Sequence, residues 1–343
     1  MKTILKTTTK SYDFDDEIVI SISRLGFIKR MPLARILSLT HGDVGNNAFY
    51  TRENDFVEYI SLATIQGMIL FFTSLGRCYW LKVCDIPENS SNTNEYRVHD
   101  LLKIAVDDYI KAFILVEDYT NEAFLNSHYT VFCTKNGIVK KTCLREYLPL
   151  HNGTIRRCAN GLTAIYLREG DALVKVIVTN GKNDLMLASR EGRAIRFNES
   201  QIIKMGRIST GVSGLRLPNE KDDVVGIIQI NDDQTESIMF VCNNGYGICT
   251  KKEDFRVTNR ANIGLKVTNI TNETGKVVDF ATVTNDTDLI IFSKSGVINR
   301  IKANYVPIKK RATSCLKLIE AFPKNDQIIC VLKVNDFDKP GGN

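Results

Sequence analysis

Six stretches of the chain alternate or run apolar for five to seven residues and then stop at a glycine: "IVISISRLG", "MILFFTSLG", "YTVFCTKNG", "LMLASREG", "IMFVCNNG" and "LIIFSKSG". Short apolar runs rich in β-branched and aromatic residues, closed by Asn, Ser or Gly, read as strands entering tight turns. Two of them, "NGIVKK" (Asn136 to Lys141) and "NGYGICTKK" (Asn244 to Lys252), carry Asn-Gly between apolar segments, the strongest short-range hairpin signal. That signal predicts a two-residue turn whose central residues both take positive φ. The closing glycines, Gly26, Gly76, Gly137, Gly192, Gly245 and Gly296, recur every 50 to 61 residues. A fixed period of this length headed by a hairpin marks a tandem or radial β array.

The register extends beyond the hairpin. Nineteen residues after the turn glycine stand Gly45, Gly211, Gly264 and, in the last unit, Cys315; the third unit reaches Gly161 after five more. Four residues before each of these is a basic or titratable side chain: His41, Arg157, Arg207, Arg260 and Arg311. Each unit then resumes with apolar runs such as "GLKVTNI" and "KVVDFATVTN". No segment keeps helical periodicity over three turns. The expected fold is all-β: six units of about four strands in a closed, radial array, closure being the remedy for exposed strand edges.

Composition fits this picture and narrows the environment. With 43% hydrophobic and 24% charged residues the chain has the make-up of a folded globular protein. No apolar run reaches the length of a transmembrane helix, and the start, "MKTILKTTTKSYDFDDE", has too short an apolar patch for a secretory signal. A cytoplasmic location without membrane contact is therefore expected. The nine cysteines form no CxxC pair, and most sit in strand-like runs where a reduced thiol acts as a small hydrophobe.

A formal charge of +6 permits a polyanion partner, so the placement of the charge decides. Four residues past the hairpin glycine stand Arg30, Lys141, Arg196 and Arg300, with Lys29 and Lys140 beside two of them. In a radial array such positions would line one rim, joined by the loop cations Arg157, Arg207, Arg260, Lys309, Lys310 and Arg311. A curved row of cations can follow a phosphate backbone without reading bases. Solubility and edge protection explain any one of them equally well. Catalytic readings find less support: the four histidines lack metal-ligand spacing, and no nucleophile-elbow, P-loop or dinucleotide motif occurs. Neither a metal nor a cofactor is expected. The acidic "NDDQ" and "NDFD" read as turn chemistry, and Trp80 as packing.

The phrases "LGFIKRMPL", "TSLGRCYWLKV", "KNGIVKKTCLREY", "EGRAIRF", "MGRISTGVSGLRL", "NNGYGICTK" and "SGVINRIK" resemble, in serial order, the C-terminal domain of the DNA gyrase A protein and of its topoisomerase IV relative. The resemblance covers about residues 15 to 336, after a linker (1–14) and before a tail (337–343), with repeats starting near 17, 67, 128, 183, 236 and 287. It implies a six-bladed β-pinwheel with strands exchanged between blades, whose basic perimeter binds and bends double-stranded DNA in the cytoplasm, at the nucleoid. It also implies that the nucleophilic tyrosine and the ATPase lie elsewhere, on the N-terminal cleavage core of the same polypeptide and on a partner subunit.

One stretch departs from the family. Gyrase carries, in its first blade, a seven-residue box of glutamine, two arginines, two glycines, lysine and glycine that is required for chiral wrapping. Here the matching residues are Leu39, Thr40, His41, Gly42, Asp43, Val44 and Gly45, so the box has lost its arginines and its lysine. Bending without chiral wrapping is the expectation this supports. The alternative is a propeller-like scaffold that binds other proteins.

Overall fold

The structure is a computed structural model; it describes residues 17–23, 25–32, 55, 57–88, 96–148, 150–151, 154–155, 161–231, 235–295, 298–319 and 326–334. Six small antiparallel sheets stand in a ring as the blades of a β-propeller. The second blade shows the plan: Ile110–Val116 innermost, then Met68–Thr73, Arg77–Lys82 and, outermost, Leu162–Thr163. That outermost strand follows the hairpin of the third repeat, so each blade is finished by its successor. The same donation gives Tyr96–Arg97 to the first blade, Val212–Ser213 to the third, Leu265–Lys266 to the fourth and Leu316–Lys317 to the fifth. The sixth shows three strands among the described residues. Two short helices, Val98–Leu102 and Glu122–Ser127, are the α-helices among the described residues, in line with the lack of helical periodicity.

The hairpins differ from the expected two-residue turn. Gly137 donates its N–H to Thr134 O and has a φ of +80°, while Asn136 stays out of the left-handed region. The loop is thus a turn closed by a left-handed glycine, the three-residue hairpin form. Only glycine suits this place, because a Cβ at residue 137 would fall 2.2 Å from Leu215 O in the next repeat's exchange segment.

An aspartate from the loop before the innermost strand caps most of these turns. Asp171 accepts from Asn136 N at 3.0 Å and from Thr134 Oγ1 at 2.7 Å. Asp55, Asp108, Asp222 and Asp326 likewise accept from the turn N–H groups of Leu25, Leu75, Glu191 and Ser295. Replacing Asp171 with alanine removes two charge-assisted bonds and is expected to cost about 2 kcal/mol of stability, measured by denaturant unfolding.

Five hydrophobic clusters hold the array, each filling the gap between two successive blades from the first to the sixth. Between blades two and three Phe72 meets Phe132 edge-on at 5.3 Å and Tyr147 at 5.5 Å, and Trp80 packs against the same cluster. Cys78, Cys133, Cys143, Cys242 and Cys249 are buried, as small apolar strand residues should be. Middle strands such as Met68–Thr73 and Ser237–Cys242 are buried at every residue, because a blade has neighbours on both faces.

This two-sided burial corrects the expectation that Lys140 and Lys141 line a solvated rim. Both are buried. The strand Ile138–Cys143 turns Lys140 into the cluster between blades two and three and Lys141 toward the fourth repeat, so neither side chain reaches the surface as a phosphate contact.

Candidate functional site

Local geometry sorts the sequence-predicted cations into three groups. The first is the buried pair. Lys140 Nζ donates to Ala164 O at 2.5 Å, Arg207 O at 2.7 Å and Tyr147 Oη at 3.3 Å, and lies 5.1 Å from the Phe132 ring centre. Burial, helped by the Arg207 charge, pushes its ammonium down to about 7. Lys141 Nζ donates to Glu199 O at 2.8 Å, and burial lowers its pKa as well.

The second group sits at the fourth residue after the hairpin glycine and the fifteenth, but is held by the protein. Arg196 reaches Asp184 at 2.9 Å and donates to Lys252 O at 3.2 Å. Lys252 occupies in the fifth repeat the place of Glu199 in the fourth, so Lys141 and Arg196 latch two successive blades to the same carbonyl of the repeat that follows. Arg30 approaches Glu88 at 3.9 Å, and Arg300 pairs with Asp288 at 2.5 Å while remaining exposed. Arg260 donates to Gln201 O at 3.1 Å and Ser213 O at 2.9 Å, and Arg311 donates to Lys266 O at 3.4 Å. Ser213 and Lys266 are again equivalent places one repeat apart. The periodicity that suggested a phosphate track therefore also serves blade-to-blade joining.

The third group is exposed on the exchange segments. The innermost strands of successive blades contact one another, so the exchanged strands and the segments leading into them form the perimeter. Those segments run parallel to the third strand of the blade they complete, with Arg196 bridging Val257 and Cys249 bridging Ile308. Lys204, Arg256, Lys266 and Lys310 are exposed on them. Lys309, half-buried, donates to Ser314 O at 3.2 Å. Arg207 and Lys29 are half-buried as well. Between the strand Arg193–Asn198 and the fifth repeat's segment lies a groove of about 220 Å³ lined by Arg196, Arg256, Thr258 and Asn262.

Arg157 and the box residues Leu39, Thr40, His41, Gly42, Asp43, Val44 and Gly45 lie outside the described residues. Reading by sequence passed over Lys204, Arg256 and Lys266, since it followed only the fourth and fifteenth places. The usable signal was the stretch between eleven and fourteen residues past the glycine, where Lys204, Arg256, Lys309 and Lys310 fall.

Among the described residues no cluster of His, Cys, Asp and Glu could hold a metal ion, and no helix is long and apolar enough to cross a membrane. The profile of a family described as "DNA gyrase C-terminal domain, beta-propeller" matches at residues 17–63, 67–94, 128–180, 183–231, 236–284 and 287–335. The DNA gyrase A protein of Staphylococcus aureus (strain MRSA252) is 33% identical over 305 residues, 89% of this chain and 33% of that protein. The chain thus spans about a third of the length of the curated relatives it matches. In fold it is similar to the C-terminal domain of DNA topoisomerase IV, with a TM-score of 0.77 and 23% identity over 93% of both chains. It is also similar to the DNA gyrase A C-terminal domain, with a TM-score of 0.70 and 19% identity over 92% of this chain and 99% of that one.

Proposed function

Since the chain belongs to the DNA gyrase C-terminal domain, beta-propeller, family, we propose that it binds duplex DNA along its perimeter and bends it, presenting a segment to the cleavage core of a type IIA topoisomerase. The observation that carries this reading is the placement of Lys204, Arg256, Lys266 and Lys310, exposed and spaced one repeat apart along the outermost layer. Lys309, Arg311, Arg300 and Arg207 lie at equivalent or adjacent places and add positive potential there. The contacts are to phosphate oxygens, so binding is blind to sequence.

The domain contributes no reacting group and needs no cofactor; cleavage and ATP hydrolysis belong to the N-terminal core and to a partner subunit, with the complex at the nucleoid. The first-blade box, with Thr40, His41 and Val44 in place of cations, removes phosphate contacts from one side of the track. Bending by the third to sixth blades without a fixed handedness follows.

Arg256→Ala and Lys310→Ala test this separately. Each removes one exposed cation without touching a latch, and each is expected to weaken duplex binding a few-fold on every sequence while reducing the salt slope by about 1. Unchanged affinity and slope in both would favour the second reading, a scaffold for protein partners. One observation supports that reading: Ile203, Ile208, Val257 and Ile308 are exposed on the same segments.

A further inference from the structure

The fifth blade and the strand donated to it by the sixth repeat meet at two cysteines. Cys242 ends the middle strand Ser237–Cys242 and is fully buried, and Cys315 directly precedes the donated strand Leu316–Lys317 and is half-buried. Both belong to the cluster between blades four and five, with Phe240 and Val267. The Cys242 thiol donates a hydrogen bond to the Cys315 sulfur, and Thr268 Oγ1 lies 3.1 Å from that sulfur. Lys309 adds a positive charge nearby.

The room for this second thiol comes from an exchange of residue types between facing strands. In the third, fourth and fifth repeats the place of Cys315 is glycine: Gly161, Gly211 and Gly264. A Cβ at Gly211 would fall 2.5 Å from Val139 O, and one at Gly264 2.6 Å from Ala194 O. In the fifth blade the place of Val139 and Ala194 is taken by Gly247, whose register partner is Leu316. The glycine has moved to the facing strand, and a sulfur occupies the space opposite it.

We propose that Cys315 is a modification site for hydroperoxides and that Cys242 is its resolving thiol, so that oxidation joins the donated strand covalently to the fifth blade. The Cys315 thiolate attacks the peroxide O–O bond, which breaks to leave a sulfenic acid at Cys315 and release an alcohol, or water from hydrogen peroxide, after protonation. The Cys242 sulfur then attacks that sulfenic sulfur, forming the S–S bond; the thiol proton and the hydroxyl leave as water. A small dithiol reverses the link by exchange. Local electrostatics suit these roles. The bond from Cys242 lowers the Cys315 thiol to about 7 against the opposing effect of burial, with Thr268 and Lys309 assisting. Cys242 is raised by the same bond and by burial, and stays protonated until it is called on to resolve the sulfenic acid. The link would fix the segment bearing Lys309, Lys310 and Arg311, a consequence that rests on the DNA-binding reading; the cross-link itself does not.

The test is stoichiometric hydrogen peroxide on the folded chain, followed by non-reducing peptide mapping. The expected product is a Cys242–Cys315 peptide pair that dithiothreitol separates, with a melting midpoint several degrees above the reduced form. Cys315→Ser should abolish it, and Cys242→Ser should leave a sulfenic acid at residue 315 that dimedone captures. Sulfinic acid at Cys315 without a cross-link in the unsubstituted chain would overturn the proposal. So would oxidation confined to the exposed Cys84, with residues 242 and 315 left as thiols.

Discussion

Replacing Lys140 with alanine is expected to destabilise the domain by about 3 to 5 kcal/mol, because it removes a buried cationic donor and leaves its acceptors unsatisfied. Ala164 O and Arg207 O belong to two successive exchange segments and both receive hydrogen bonds from this one ammonium. The variant would therefore loosen the third and fourth repeats together, read as a lower midpoint in urea. A pH signature accompanies the effect. With its folded value near 7 and an ordinary value of 10.5, Lys140 binds its proton less tightly in the folded state than in the unfolded chain. Stability should thus rise between pH 7 and about 10, by up to ~1.4 kcal/mol per pH unit, and Lys140→Met should remove that rise. The Met variant should bind DNA as the natural chain does, since the ammonium does not reach the surface.

The second large effect is on salt. If about six phosphates are neutralised along the perimeter, duplex affinity should fall by about a thousandfold between roughly 50 and 200 mM salt. The latched arginines contribute little to this, because Arg196, Arg260 and Arg30 are already engaged by carboxylates or carbonyls. Exposed Lys204, Arg256, Lys266 and Lys310 carry it instead. Equilibrium titration of a labelled duplex at several salt concentrations measures the slope, and mixed-sequence and A·T-rich duplexes should give one line.

Why the fold was legible and the cation roles less so has one physical cause. Turn glycines such as Gly137 and Gly192 punctuate the chain because left-handed backbone and close approach leave no room for another residue. Six such marks at an even period suffice for a radial array. The capping aspartates were less visible, because Asp171 and Asp222 stand 34 and 30 residues after their glycines, at spacings that insertions blur. Burial of Lys140 and Lys141 escaped the sequence for a different reason. Alternation separates a core face from a solvent face, and a blade between two neighbours has no solvent face. Two adjacent lysines in such a strand thus point into two different interblade gaps, although their letters match those of a solvated hairpin. The turn type escaped too, since Asn-Gly serves both hairpin forms and only the backbone at Asn136 tells them apart.

The most direct test of the perimeter track is the duplex affinity of a Lys309→Glu, Lys310→Glu, Arg311→Glu triple variant, whose fold is checked by its unfolding midpoint. Loss of three contacts in one exchange segment is predicted to weaken binding on the order of a hundredfold near 0.1 M salt, with a shallower salt slope. An affinity and slope equal to those of the unsubstituted domain would contradict the account.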